Sequence, residues 1–93
     1  MDGITMNHRI LLVEDDRTIA SALQYSLEQE QYEVILCYDA ASAKRVIGER
    51  LNELSLCLLD LSLPDGSGYD LCRMVKERGD VPVIFLTAID DEV

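Results

Sequence analysis

Leu58-Leu59-Asp60-Leu61-Ser62-Leu63-Pro64-Asp65-Gly66-Ser67-Gly68 decides how this chain folds. It closes an apolar run over residues 56–59 in which polar and apolar positions do not alternate. A run of that kind reads as a strand covered on both faces, as in a parallel sheet. The run stops at a carboxylate, and Pro64, Gly66 and Gly68 beyond it are turn residues. Asp60 is therefore expected at the carboxyl end of a central strand, facing a loop. Open parallel sheets bind ligands along that edge. One acid there more often ends a strand than performs chemistry, so its meaning depends on what other strands bring to the same edge.

Upstream, Arg9-Ile10-Leu11-Leu12-Val13 reads as the first strand and runs into Glu14-Asp15-Asp16. A helix is expected from Arg17, with Asp16 as its cap and Ile19, Leu23 and Leu27, beside Ala20, as its apolar stripe. The polar residues 28–31 end it without a glycine. Residues 32–38 read as a second strand, plausible as an edge because of Glu33 and its flanking tyrosines. Asp39 can cap a second helix with Ala40, Ala43, Val46 and Ile47 as its stripe and Gly48 near its end. The third strand covers residues 54–60. Ser67 and Asp70 resemble a capping box for a third helix carrying Leu71, Cys72 and Val75, with Gly79 at its C′ position. Residues 81–86 form a fourth strand, Pro82 at its start, followed by Thr87 and Ala88. Strand and helix alternate throughout, which implies an α/β fold, a doubly wound parallel sheet with helices on both faces.

Ninety-three residues suit one small domain. Residues 1–8 read as a leader, with Met6 an alternative start, ahead of a single domain over 9–93. A net charge of −10 argues against nucleic-acid binding by this chain, because phosphate contacts need Lys and Arg, and against an anionic membrane surface. No apolar run reaches the roughly 20 residues of a membrane span, and the polar N-terminus is no secretory signal. Cys37, Cys57 and Cys72 are odd in number and lack metal-ligand spacing, so they read as reduced thiols of a cytoplasmic protein.

Three strands end in polar groups on one edge: Glu14, Asp15 and Asp16, then Asp60, then Thr87. In a doubly wound sheet the first and third strands are neighbours, so their acids converge. Converging carboxylates repel unless a cation or protons compensate. An all-oxygen donor set suits a hard cation, and a few carboxylates, a carbonyl and waters suit Mg²⁺. Helix capping explains one acid after a strand, but neither the further acids nor Asp60 on the next strand. An ionised Asp needs no base to act as a nucleophile, and aspartyl-phosphate formation is a known use of carboxylates. With phosphoryl transfer resting on positioning and charge neutralisation, the Thr87 hydroxyl gains a role as a contact to a phosphoryl oxygen.

These residues resemble the receiver domain of two-component response regulators. Three separated segments carry the likeness: Leu12-Val13-Glu14-Asp15-Asp16, residues 58–68 as quoted above, and Pro82-Val83-Ile84-Phe85-Leu86-Thr87-Ala88. The resemblance implies a flavodoxin-like receiver fold in which Asp60 accepts phosphate from a sensor histidine kinase. It implies that Asp15 and Asp60 ligate Mg²⁺, Glu14 through water, with the Ser62 backbone carbonyl as a further ligand and Thr87 as the switch hydroxyl. Asp16 falls just after the family's acidic pair, as a helix cap. The loop at residues 63–68 is similar to that of regulators with a winged-helix DNA-binding output domain, which implies transcriptional control through an attached domain. The family's fourth helix, fifth strand with its Lys, and fifth helix are not among these residues, and no Lys follows Lys76. The sequence therefore reads as a receiver truncated after its fourth strand, with that strand an apolar edge. Self-association is expected, through the fourth strand or other uncovered apolar surface.

Rival chemistries fit less well. A phosphatase of the haloacid dehalogenase type needs a second Asp two positions after the nucleophile, where Ser62 stands. A flavin mononucleotide carrier would have its phosphate repelled by Glu14, Asp15 and Asp16. A dinucleotide fold needs G-x-G-x-x-G after the first strand. A receiver-like interaction module that no longer signals by phosphate is the remaining alternative.

Overall fold

The computed structural model describes residues 8–86, so Thr87, Ala88 and residues 1–7 lie outside the described part. The elements run β1 (Arg9–Val13), α1 (Arg17–Gln29), β2 (Glu33–Cys37), α2 (Ala40–Arg50), a 3₁₀ turn (Leu51–Glu53), β3 (Leu56–Asp60), β4 (Ser62–Leu63), β5 (Gly66–Ser67), α3 (Gly68–Arg78) and β6 (Val83–Leu86). The main sheet is parallel, in the order β2-β1-β3-β6. The fourth strand of the sequence reading is thus β6, because β4 and β5 pair as a small antiparallel hairpin inside the loop after β3. Pro82 joins the ladder only through its carbonyl, which accepts from Cys57 N–H at 2.9 Å.

Strand alternation divides the core. Leu11, Val13, Cys57 and Leu59 face α2 and α3 and pack with Ala40, Ala43, Ile47, Leu71 and Val75. Ile10, Leu12 and Leu58 face the other way and pack with Leu23 and Leu27 of α1. Fully burying one such side chain contributes about 1.5–3 kcal/mol. The two layers hold the central strands rigid from both sides, and their carboxyl ends become a fixed platform.

Helix ends show where local chemistry gave way to packing. Ile19 is 47% exposed, not buried. Steps of four residues drift by about 40° around a helix, so the face that meets the sheet passes through Ala20, Leu23 and Leu27 and leaves Ile19 to one side. At the end of α1 Gln31 takes φ 73°, the left-handed turn that glycine usually supplies. Its N–H donates to Glu28 O at 3.0 Å, and Tyr32 N–H donates to Leu27 O at 3.2 Å. Gly48 lies within α2, which ends in the 3₁₀ turn instead of at a glycine. Gly79 caps α3 with extended backbone, φ 179°, and its N–H donates to Val75 O at 3.0 Å. Ser67 caps α3 by accepting from Tyr69 N–H at 3.0 Å, while Asp70 pairs with Arg73.

Candidate metal and phosphoacceptor site

The register places the acids. Val13 is level with Leu59, so Glu14 emerges beside Asp60 on the neighbouring strand. Glu14 N–H still continues the sheet, donating to Cys37 O at 3.0 Å. Carboxylate oxygens of Glu14, Asp15 and Asp60 come within 4.8 Å of one another. Asp16 stands apart as the cap of α1, its Oδ1 accepting from Thr18 N–H at 3.0 Å and Ile19 N–H at 3.1 Å. Three of the expected site residues are therefore together and the fourth acid is structural. Thr87 would follow Leu86, which is level with Asp60, but it lies outside the described residues.

The cluster is electrostatically uncomfortable. Burial raises Glu14 above the ordinary carboxylate range, against an Asp16 N–H that donates to Glu14 Oε2 at 3.0 Å, and the Asp60 charge raises it further. Burial likewise raises Asp60, opposed by the Ser62 N–H and reinforced by Asp15. Both shifts mark a site that favours added positive charge. Carboxylate oxygens that already lie within 4.8 Å of one another form a donor set that would suit a hard cation such as Mg²⁺. Thiolate chemistry is not on offer nearby: burial pushes the Cys57 thiol up to about 11 and also raises Cys37.

Ser62 sits at the base of the hairpin. Gly68 N–H donates to Leu61 O at 3.0 Å, which makes Leu61 and Gly68 a bonded pair. In an antiparallel ladder the next pair, Ser62 with Ser67, directs its N–H and C=O outward. The Ser62 N–H accordingly turns to Asp60 Oδ1, a long contact at 3.4 Å. By the same pairing the carbonyl of Ser62 is directed away from β5.

The loop glycines differ in role from the turn residues expected. No described glycine has positive φ. A Cβ on Gly68 would lie 2.2 Å from Asp60 O, and one on Gly66 would lie 3.0 Å from Ala40 Cβ. Both are there for close approach, and Gly68 seats the start of α3 directly on the Asp60 backbone. Two further features had no local sequence signal. Arg17 lies over the Tyr38 ring, its Cζ 3.9 Å from the centroid, a cation at the rim of the acidic edge. Asp65 reaches across to α2, as described below.

The sequence profile of the response regulator receiver domain matches residues 10–93. The chain belongs to the response regulator receiver domain family. Solved receiver structures agree with the fold. The non-phosphorylated HemR receiver domain from Leptospira biflexa is 44% identical, with a TM-score of 0.81 over 89% of this chain and 66% of that one. A receiver domain protein from Clostridium thermocellum is 28% identical, with a TM-score of 0.83 over 90% and 68%. The response regulator DrrB of Thermotoga maritima, an OmpR/PhoB homolog, is 31% identical, with a TM-score of 0.75 over 92% of this chain and 38% of its own. The chain thus spans just under two thirds of the HemR receiver domain and a smaller part of DrrB. As a receiver domain it is an α/β signalling module, and its acidic cluster occupies the carboxyl edge of the central strands.

Proposed function

We propose that this receiver domain accepts a phosphoryl group on Asp60 from a sensor histidine kinase, with Mg²⁺ held by Asp15, Asp60, the Ser62 carbonyl and, through water, Glu14. The observation that carries the reading is the convergence of three carboxylates from two adjacent strand ends within 4.8 Å. Mg²⁺ supplies charge neutralisation when bound. The chain supplies the rest: β3 aims the Asp60 carboxylate out of the sheet edge, the hairpin presents Ser62, and Thr87, one residue beyond β6, is the phosphoryl contact. Such a domain changes only its own phosphorylation state and is not an enzyme acting on other substrates. Its output, on the likeness of the loop at residues 63–68, is control of transcription through an attached domain. The free state of Cys37, Cys57 and Cys72 supports a cytoplasmic setting, and no described helix is long and apolar enough to cross a membrane.

Incubation with acetyl phosphate and Mg²⁺, read by intact mass, tests this. One hydroxylamine-labile phosphate is expected, lost in Asp60→Asn and lost on chelation of Mg²⁺. A folded, unmodified wild-type chain would instead favour a receiver-like interaction module. The reading also includes self-association of this chain. Among the described residues β6 pairs on one side only, with β3, and Ile84 on it is 52% exposed. Concentration-dependent sedimentation is expected, and a monomer at high concentration contradicts it.

A further inference from the structure

Resting on the phosphoacceptor reading above, we propose that Asp65 is a positioning residue for the site: its carboxylate bolts the hairpin after Asp60 onto the first turn of α2 and thereby fixes the Ser62 carbonyl. Asp65 Oδ1 accepts from Ala40 N–H at 2.6 Å, and Oδ2 accepts from Ala41 N–H at 3.0 Å. These contacts cross 25 and 24 residues of sequence. They use both oxygens of one carboxylate on two successive donors of a helix start, where a negative charge is favoured. Ala40 is buried, and a Cβ on Gly66 would press on it at 3.0 Å, so the hairpin tip is seated on α2 and not merely near it.

The base of the hairpin is fixed as well. Gly68 abuts the Asp60 carbonyl, and Ser62 N–H faces the Asp60 carboxylate. Between these two anchors lie only residues 62–67, already paired as β4 and β5. Movement of the tip is therefore passed to Ser62. The α2 start follows β2 directly, and the last residue of β2, Cys37, holds Glu14 N–H through its carbonyl at 3.0 Å. One junction thus braces both halves of the acidic cluster, Glu14 through Cys37 and Asp60 with Ser62 through Asp65. Repelling carboxylates need such a brace to stay close before a cation arrives.

Asp39 provides an internal control. It caps the same helix, accepting from Ser42 N–H at 2.9 Å, but makes no link to the hairpin. The experiment compares wild type, Asp65→Ala, Asp65→Asn and Asp39→Ala at a temperature where circular dichroism shows each folded. Mg²⁺ affinity is measured by calorimetry, amide exchange at residues 62–68 without Mg²⁺, and phosphorylation by acetyl phosphate at saturating Mg²⁺. Loss of a group that orients a metal ligand typically weakens binding about 10-fold or more, and that is expected for Asp65→Ala. Asp65→Asn, which keeps one acceptor oxygen, is expected in between and carries the comparison if Asp65→Ala does not fold. Asp39→Ala is expected to lower the melting temperature while leaving Mg²⁺ affinity within about twofold. Wild-type affinity and unchanged hairpin exchange in the Asp65 variants overturn the proposal, as does an equal loss of affinity in Asp39→Ala. A wild-type chain that binds no Mg²⁺ removes the phosphoacceptor reading and this inference with it, whereas a wild type that binds and is phosphorylated while Asp65→Ala matches it removes only this inference.

Discussion

Two junctions supply the acidic cluster, and they are built in opposite ways. After β1 the chain passes straight into α1, and its acids are used within a few residues: Asp16 caps the helix and Glu14 accepts from Asp16 N–H. After β3 the chain takes a longer route, through a hairpin that returns to touch Asp60 and is pinned at its tip to a different helix. The first junction is a local structure that a short peptide pattern can specify. The second exists only when α2 is already in place. It follows that the Glu14 side, tied to distant sequence through the Cys37 carbonyl, should tolerate single side-chain losses, while the Asp60 side depends on a side-chain contact distant in sequence.

Substitutions can break that contrast, beginning with the strongest. Gly68→Ala places a methyl group 2.2 Å from the Asp60 carbonyl, against backbone that cannot give way. A loss of about 3 kcal/mol is expected from urea unfolding, with acceptor activity falling alongside. Equal stability to wild type would show that the hairpin base is looser than drawn. Next comes the point where the junctions meet. Burial raises both Glu14 and Asp60, reinforced by the Asp60 charge at Glu14 and by Asp15 at Asp60, so the folded state holds their protons more tightly than the unfolded chain. Their contribution is complete below the ordinary carboxylate range and is lost as pH rises through the raised folded values. Without Mg²⁺ the urea midpoint is expected to drop as pH rises above the ordinary carboxylate range. Asp60→Asn should flatten the drop and raise neutral-pH stability, and millimolar Mg²⁺ should restore the wild type. A midpoint that climbs with pH there would contradict the electrostatic reading.

Asp16→Ala removes one cap from the β1 junction, and a loss of about 1 kcal/mol is expected, with Mg²⁺ affinity little changed. A large fall in affinity would erase the distinction between the junctions. The smallest change lies outside both. Gln31→Gly relieves a side chain from left-handed backbone and should stabilise the fold by about 0.5 kcal/mol in thermal melts, leaving the site untouched.

The same contrast explains what could be read from sequence. Every main-sheet strand was visible as an apolar run, and the neighbouring of the first and third strands followed from doubly wound topology, so Glu14, Asp15 and Asp60 were found together in advance. Capping by Asp16 and Asp39 is local chemistry and was equally legible. The hairpin was not, because Pro64, Gly66 and Gly68 announce a turn whatever the glycines are for. Their purpose, clearance from Ala40 and Asp60, is a tertiary fact. The reach of Asp65 to Ala40 has no periodicity or spacing to betray it. Ile19 was misplaced because a four-residue spacing matches the helix only over a turn or two.

At the opposite edge of the sheet, Arg9 begins β1 and bonds Glu33 at 2.8 Å and Glu53 at 2.9 Å. One guanidinium thus ties the starts of β1 and β2 to the 3₁₀ turn that leads into β3, while at the far ends of β1 and β3 three carboxylates crowd together. The sheet carries attraction at one rim and repulsion at the other. Added salt screens both, so it should slacken the amino rim and calm the carboxyl rim. Ionic strength therefore redistributes rigidity along the strands even where total stability barely moves.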